Sequence, residues 1–233
     1  MRYREALAEG TAALEKAGIE TARLDAWYLL EHVCHITRQY FYLNDTDELK
    51  EEEQQEYELA IGKRAERVPL QYIIGEQEFM GLTFKVNPSV LIPRQDTEIL
   101  VEEILKICKP DAKLNQTAVI FERSNLYEAF SGKFDVIVSN PPYIPSAEIP
   151  NLMPEVRDFE PHQALDGLED GLYFYRKIIA GSVEYLNEDG ILCLEIGCEQ
   201  ASAVTEMMKH FGFKDITVVQ DLAGLDRVVR GHL

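Results

Sequence analysis

The stretch FDVIVSNPPYIP, residues 134–145, decides how the fold is read. Phe134 to Val138 is a strand-like run, and it stops abruptly at Ser139 and Asn140. Two prolines and Tyr143 follow. Pro141 forces Asn140 into an extended conformation, and each proline fixes its own φ. Neither proline has an N–H, so the turn presents carbonyls with no competing donor. The side-chain carbonyl of Asn140 and the backbone carbonyl of Pro141 are able to converge on one point. Two convergent acceptors suit a planar –NH2 group, which has two donors. Tyr143 adds a flat face on which a planar substrate can stack.

Working outward, strands and helices alternate downstream of this stretch. A helix is expected over roughly Leu172 to Leu186, then the strand ILCLEI, a helix from about Glu199 to Phe211, the strand DITVVQ and a final DRVVR. Continuous apolar strands separated by amphipathic helices indicate a parallel sheet covered on both faces. The last two strands are joined by so few residues that they should pair antiparallel. Ligands of open α/β sheets bind beyond the carboxyl ends of the strands, and Asn140 stands at such an end. Upstream, RQDTEILVEEILKIC reads as an amphipathic helix capped by Asp96 or Thr97. EFMGLTFKVNPSVLIP reads as a hairpin turning at Gly81. Before it the chain is helical, with Leu7 and Leu14 on one predicted apolar stripe and Leu24, Trp27, Tyr28 and Val33 on the next. The expected division is a helical domain over 1–72, a β-hairpin linker over 73–92 and an α/β domain over 93–233.

Composition narrows the classes of partner. The formal net charge of the 233 residues is −18, from 23 basic and 41 acidic residues. Such a surface repels phosphate backbones, which disfavours a nucleic-acid substrate and favours a basic protein partner. No apolar run approaches the ~20 residues of a membrane span, and MRYREALAEG lacks the apolar core of a signal peptide. A cytoplasmic protein is expected, without membrane contact. The cysteines, Cys34, Cys108, Cys193 and Cys198, form no C-x-x-C pair. His32, Cys34 and His35 point in different directions on a helix, so no metal site is expected.

The substrate atom that this turn suits is an amide or aromatic-amine nitrogen, whose delocalised lone pair makes it a weak nucleophile. Fixing both hydrogens out of conjugation directs the lone pair at an electrophilic methyl. The gain is positioning and electrostatic stabilisation, and no strong base is needed. SNPPYIP resembles the signature of amino-group methyltransferases that use S-adenosylmethionine. LIPRQDTEILVE (Leu91 to Glu102), VRDFEPHQALDGLEDGLYFYRKI (Val156 to Ile178), LCLEIGCEQ and DLAGLDRVV resemble further elements of the PrmC/HemK family. The helical first section resembles that family's substrate-recognition domain.

The resemblance implies a class I, Rossmann-like methyltransferase sheet with a small N-terminal helical domain. It implies S-adenosylmethionine as cofactor and class-1 peptide chain release factors as partners. The methyl acceptor would be the side-chain amide of the glutamine in their Gly-Gly-Gln motif. Asn140, Pro141, Pro142 and Tyr143 would hold that glutamine, with Asn140, Pro141 and Tyr143 catalytic. Asn125, Leu126, Asn140, Arg94 and Thr97 would line the cofactor. A monomer is expected.

The chain departs from the family in one large respect. The glycine-rich loop after the first strand and the acidic residue for the ribose are absent, and no G-x-G occurs. Asn125 also replaces the usual aspartate. A complete fold needs two more strands and two more helices before a strand expected at Thr117 to Phe121, roughly 50 residues by typical element lengths. Part of the cofactor half is therefore expected to be missing, with a junction between Lys109 and Asn115. Two alternatives remain: an adenine methyltransferase acting on nucleic acid, and a release-factor binder without catalysis.

Overall fold

The first section is helical, as expected. It forms α1 (Tyr3–Lys16), α2 (Ala22–Cys34) and α4 (Glu51–Ala65), with two short helices that its periodicity did not mark, α3 (Arg38–Asn44) and α5 (Leu70–Ile74). Leu14, Ala26, Leu29 and Leu30 are fully buried between them. Each such leucine contributes on the order of 1.5–3 kcal/mol by leaving water. Trp27 packs edge-on against Phe41, with ring centroids 5.3 Å apart. Leu24 and Tyr28 depart from the expected stripe. They are exposed, and the inward face of α2 is Ala22, Ala26, Trp27, Leu29, Leu30 and Val33.

The computed structural model describes residues 1–107 and 120–233, in two compact units. The first comprises Met1–Glu78, Leu82–Ile92 and Leu152–Pro161. Its last piece contains α7 (Pro154–Phe159), whose Glu155 accepts from Arg64 and Arg67 at 3.0 and 3.1 Å. Arg64 is also paired with Asp25 at 2.7 Å. Arg64, Asp25 and Glu155 are all buried, and removing one member of such a cluster strands its partners at a cost of about 3–5 kcal/mol. The expected hairpin is present as β1 (Glu76–Phe79) and β2 (Leu82–Lys85).

The second unit is built on a four-stranded mixed sheet. Its strands are β3 (Phe134–Ser139), β4 (Leu186–Glu195), β5 (Lys214–Gln220) and β6 (Asp226–His232), in the spatial order β3-β4-β6-β5. β3 and β4 are parallel, and β6 runs antiparallel to both β4 and β5. The final hairpin thus pairs as its short connection requires. α6 (Gln95–Ile107), α8 (Tyr173–Tyr185) and α9 (Ala201–His210) accompany the sheet. Every residue from Ile191 to Ile196 is buried, as expected of a strand covered on both faces.

Two expectations need correction. α6 begins at Gln95 and the Thr97 N–H already donates to the Arg94 carbonyl at 3.1 Å, so Asp96 and Thr97 lie inside the first turn and do not cap it. The full class I sheet is not formed by the described residues. Among the described residues β3 is an edge strand, with Phe134 and Val138 exposed. The strand expected at Thr117 to Phe121 falls largely outside the described residues, and Ile120 and Phe121 are exposed and not in a strand. The proposed junction between Lys109 and Asn115 also lies outside them.

Candidate active site

Because β3 and β4 are parallel, with Ser139 beside Leu194, their carboxyl ends open on the same side of the sheet. Asn140 follows β3 and Glu195 ends β4. The Asn140 Nδ2 group donates to Thr97 Oγ1 at 3.0 Å. Thr97 is free for this because it does not cap its helix. With the amide nitrogen so engaged, the Asn140 side-chain carbonyl is left as an acceptor, and no donor among the described residues occupies it.

Tyr143 is held more tightly than a stacking platform requires. Its hydroxyl donates to Glu195 Oε1 at 3.3 Å. Its peptide carbonyl accepts from Gln200 Nε2 at 2.9 Å, while Gln200 Oε1 accepts from the Gly197 N–H at 3.0 Å. The next residue, Ile144, exchanges backbone hydrogen bonds with Leu165 and Gly167 at 3.1 and 2.8 Å. Gly171, at φ +70°, lies against the same turn: a Cβ there would stand 2.3 Å from the Tyr143 carbonyl oxygen. The glycines of ALDGLEDG are thus explained by the close approach of two backbone segments.

Burial shapes the electrostatics of this end of the sheet. Glu195 is 1% exposed, and desolvation raises its carboxyl above the usual range against the opposing pull of Thr97, Arg227 and Tyr143. Glu195 Oε2 has no hydrogen-bond partner among the described residues. Burial and the neighbouring Glu195 push the Tyr143 phenol up to about 12, so it remains a donor at neutral pH. Arg227 is paired with Asp221 and Asp96 at 3.0 and 3.3 Å.

Two cavities adjoin the turn. One, of about 550 Å³, is lined by Tyr143, Ile144, Asp170, Gly197 and Gln200. The other, about 290 Å³ and mostly apolar, runs along β3 and is lined by Leu126, Phe130, Val136, Val138 and Ser139. The expected site residues therefore divide. Asn140 and Thr97 are directly bonded, Tyr143 joins them through Glu195, Pro141 is buried and Pro142 half-buried in the same turn. Arg94 stands immediately before α6. Leu126 lines the cavity along β3. Asn125 is exposed and its Nδ2 donates to Glu128 at 2.7 Å, which leaves its carbonyl as acceptor.

Sequence reasoning missed Glu195, Gln200, Gly167 and Gly171. A carboxylate inside the apolar run ILCLEI was the available signal for Glu195. Nothing local marked Gln200, whose contact with Tyr143 spans 57 residues.

Comparison with known proteins adds a separate line of evidence. Residues 5–75 match the profile of the PrmC N-terminal domain. The chain is 38% identical to the release factor glutamine methyltransferase of Geobacter sulfurreducens, over 94% of this chain and 93% of that protein. It is 36% identical to the protein of the same name from Clostridium botulinum, over 100% of this chain and 99% of that protein. The latter alignment runs over 281 positions against 233 residues here, so 48 positions have no residue of this chain opposite them.

Proposed function

The chain belongs to the release factor glutamine methyltransferase family, and on that premise we propose that it methylates the side-chain amide nitrogen of the glutamine in the Gly-Gly-Gln motif of class-1 release factors. The observation that carries this reading is the Asn140 side chain, fixed through Thr97 so that its carbonyl stays open at the carboxyl end of β3. Asn140 Oδ1 and the Pro141 carbonyl accept the two amide hydrogens. Conjugation of the amide nitrogen is thereby weakened, and its lone pair is turned toward the methyl donor. Charge developing on that nitrogen is stabilised by the same two acceptors. The nitrogen's surplus proton becomes acidic as the new N–C bond forms, so it leaves to solvent without a strong base. Glu195, Gln200 and the two glycines act by holding the turn.

S-adenosylmethionine is the cofactor in this reading, and its sulfonium supplies an activated methyl. The apolar cavity along β3 fits the flat base of such a molecule, with Leu126 and Ser139 on its wall and the Asn125 carbonyl as an acceptor for the base amino group. The glycine-rich loop and the ribose-binding acid fall, in this proposal, among the 48 positions without counterpart, in a longer natural chain. The sheet then completes a class I, Rossmann-like fold. Residues 1–72 dock the release factor, 73–92 link, and 93–233 carry the chemistry. The protein works as a cytoplasmic monomer and contacts no nucleic acid directly. Among the described residues, no helix is long and apolar enough to cross a membrane.

The test is incubation with methyl-labelled S-adenosylmethionine and purified release factor, followed by peptide mapping. Label is expected on the Gly-Gly-Gln glutamine. Label on adenine in added nucleic acid, or none on any acceptor, rejects the reading.

A further inference from the structure

The helical unit contains a groove that neither methyl transfer nor its own core explains. Leu7 of α1, Leu24 and Trp27 of α2, and Phe41 and Tyr42 of α3 wall a cavity of about 260 Å³. Tyr42 is 74% exposed and the adjacent Leu43 84%, so the apolar surface continues beyond the rim. Contiguous exposed apolar surface of this kind marks an interaction site. Trp27 is 5% exposed, yet its indole N–H has no hydrogen-bond partner among the described residues. A buried indole N–H ordinarily finds one.

Charge identifies the occupant. Arg23 and Arg38 also line the groove. The structural arginines of the same unit, Arg64 and Arg67, are paired with Asp25 and Glu155. Arg23 and Arg38 have no carboxylate partner among the described residues, and the Arg38 guanidinium lies 5.4 Å from the Trp27 ring centroid. Both stand in the first turn of a helix, α2 and α3 respectively, where a cation opposes the helix dipole. Their charge costs local stability. In a chain of net charge −18, two unpaired cations around an apolar groove form a local reversal of sign.

We propose that this groove binds a segment of the protein substrate remote from its reacting glutamine. A bulky apolar side chain of that segment enters the cavity beside Trp27, and flanking carboxylates pair with Arg23 and Arg38. The proposal rests on the methyltransferase reading above. The acidic remainder of the surface repels such a segment elsewhere, so the groove contributes selectivity as well as affinity.

Trp27 is the chain's only tryptophan, which makes it a built-in reporter. The first probe is a hexapeptide alternating leucine and glutamate, with a leucine–lysine counterpart as control. The acidic peptide is expected to shift Trp27 emission saturably, and the basic one to leave it unchanged. The second arm measures binding of whole release factor and of a short Gly-Gly-Gln peptide to wild type and to the R23E/R38E variant. The variant should lose about ten-fold or more in affinity for release factor, as the loss of charge pairs predicts. It should bind the short peptide as wild type does. Its thermal midpoint should be unchanged or higher, because both substitutions favour the helix dipole. An equal response to the two hexapeptides overturns the proposal, as does unchanged release-factor affinity in R23E/R38E. A wild type that does not bind release factor overturns the functional reading and this occupant together. Binding that R23E/R38E leaves intact overturns the groove alone.

Discussion

The two borders of β3 are finished to different degrees. At its carboxyl end Asn140 is bonded to Thr97, Tyr143 to Glu195, and the Tyr143 carbonyl to Gln200. Along its outer edge Phe134 is 37% and Val138 43% exposed, beside an open apolar cavity. β5, the other edge of the sheet, differs again. It begins with Lys214 and Asp215, and its register with β6 shifts twice, as suits an edge adapted to water. The contrast teaches that the turn after β3 is fixed by contacts within this chain, whereas its outer edge has no strand beside it among the described residues.

The largest expected effect is at the finished end. Asn140→Ala should lower turnover by ~10²–10³, the scale of removing one preorganised polar group. Its thermal midpoint should stay close to that of wild type. Asn140→Asp should also turn over poorly, because it keeps an acceptor but loses the donor to Thr97 and adds charge. Full activity of Asn140→Ala in a steady-state assay would break the comparison at its stronger side.

Next is Gly171→Ala. The new methyl would press on the Tyr143 carbonyl at a positive φ, so a loss of about 2–3 kcal/mol in chemical denaturation is expected. A loss below about 0.5 kcal/mol would mean that the two backbones do not approach so closely.

Glu195 sharpens the comparison through pH. Its folded-state carboxyl is raised, so the native protein binds that proton more tightly than the unfolded chain. The resulting stability is fully present below the ordinary carboxylate range. It is lost as pH rises through the folded value. Glu195→Gln should flatten this part of the stability profile, as read by thermal midpoints from acid to neutral pH. A profile unchanged by the substitution would show that the Glu195 carboxyl titrates alike in the folded and unfolded chain.

The smallest effect is expected at the bare edge. Val138→Lys should change the stability of the 233-residue chain by less than about 0.5 kcal/mol, because the side chain meets solvent. It should also reduce self-association in light scattering, as a charge on an edge strand does. A loss of about 2 kcal/mol or more would mean that the edge is already covered.

How far the sequence was legible follows from the range of each interaction. β3 and its turn were legible because an apolar run ending at two prolines is a local signal. The final hairpin was legible because its connection is short. Thr97 was misread as a cap because its real partner, Asn140, is 43 residues away. Gln200 and Gly171 were invisible because their roles exist only once Tyr143 has been brought beside them. Leu24 and Tyr28 were assigned to the apolar stripe because hydrophobic spacing does not distinguish a core face from exposed apolar surface, which for Leu24 is the wall of an open groove. The cofactor half left no local signal to read, since no G-x-G occurs among the 233 residues.

The most direct test of the account is a double-mutant cycle on binding, which needs no methyl donor. A release-factor peptide with its Gly-Gly-Gln glutamine is compared with the same peptide carrying glutamate, on wild type and on Asn140→Ala. Glutamate matches the shape but brings no N–H to two convergent acceptors. The account predicts that wild type prefers glutamine by ~10²-fold or more, as expected when polar groups are left unpaired. It predicts that Asn140→Ala loses most of that preference. An equal preference in both proteins would show that Asn140 does not hold the amide, and would contradict the central claim.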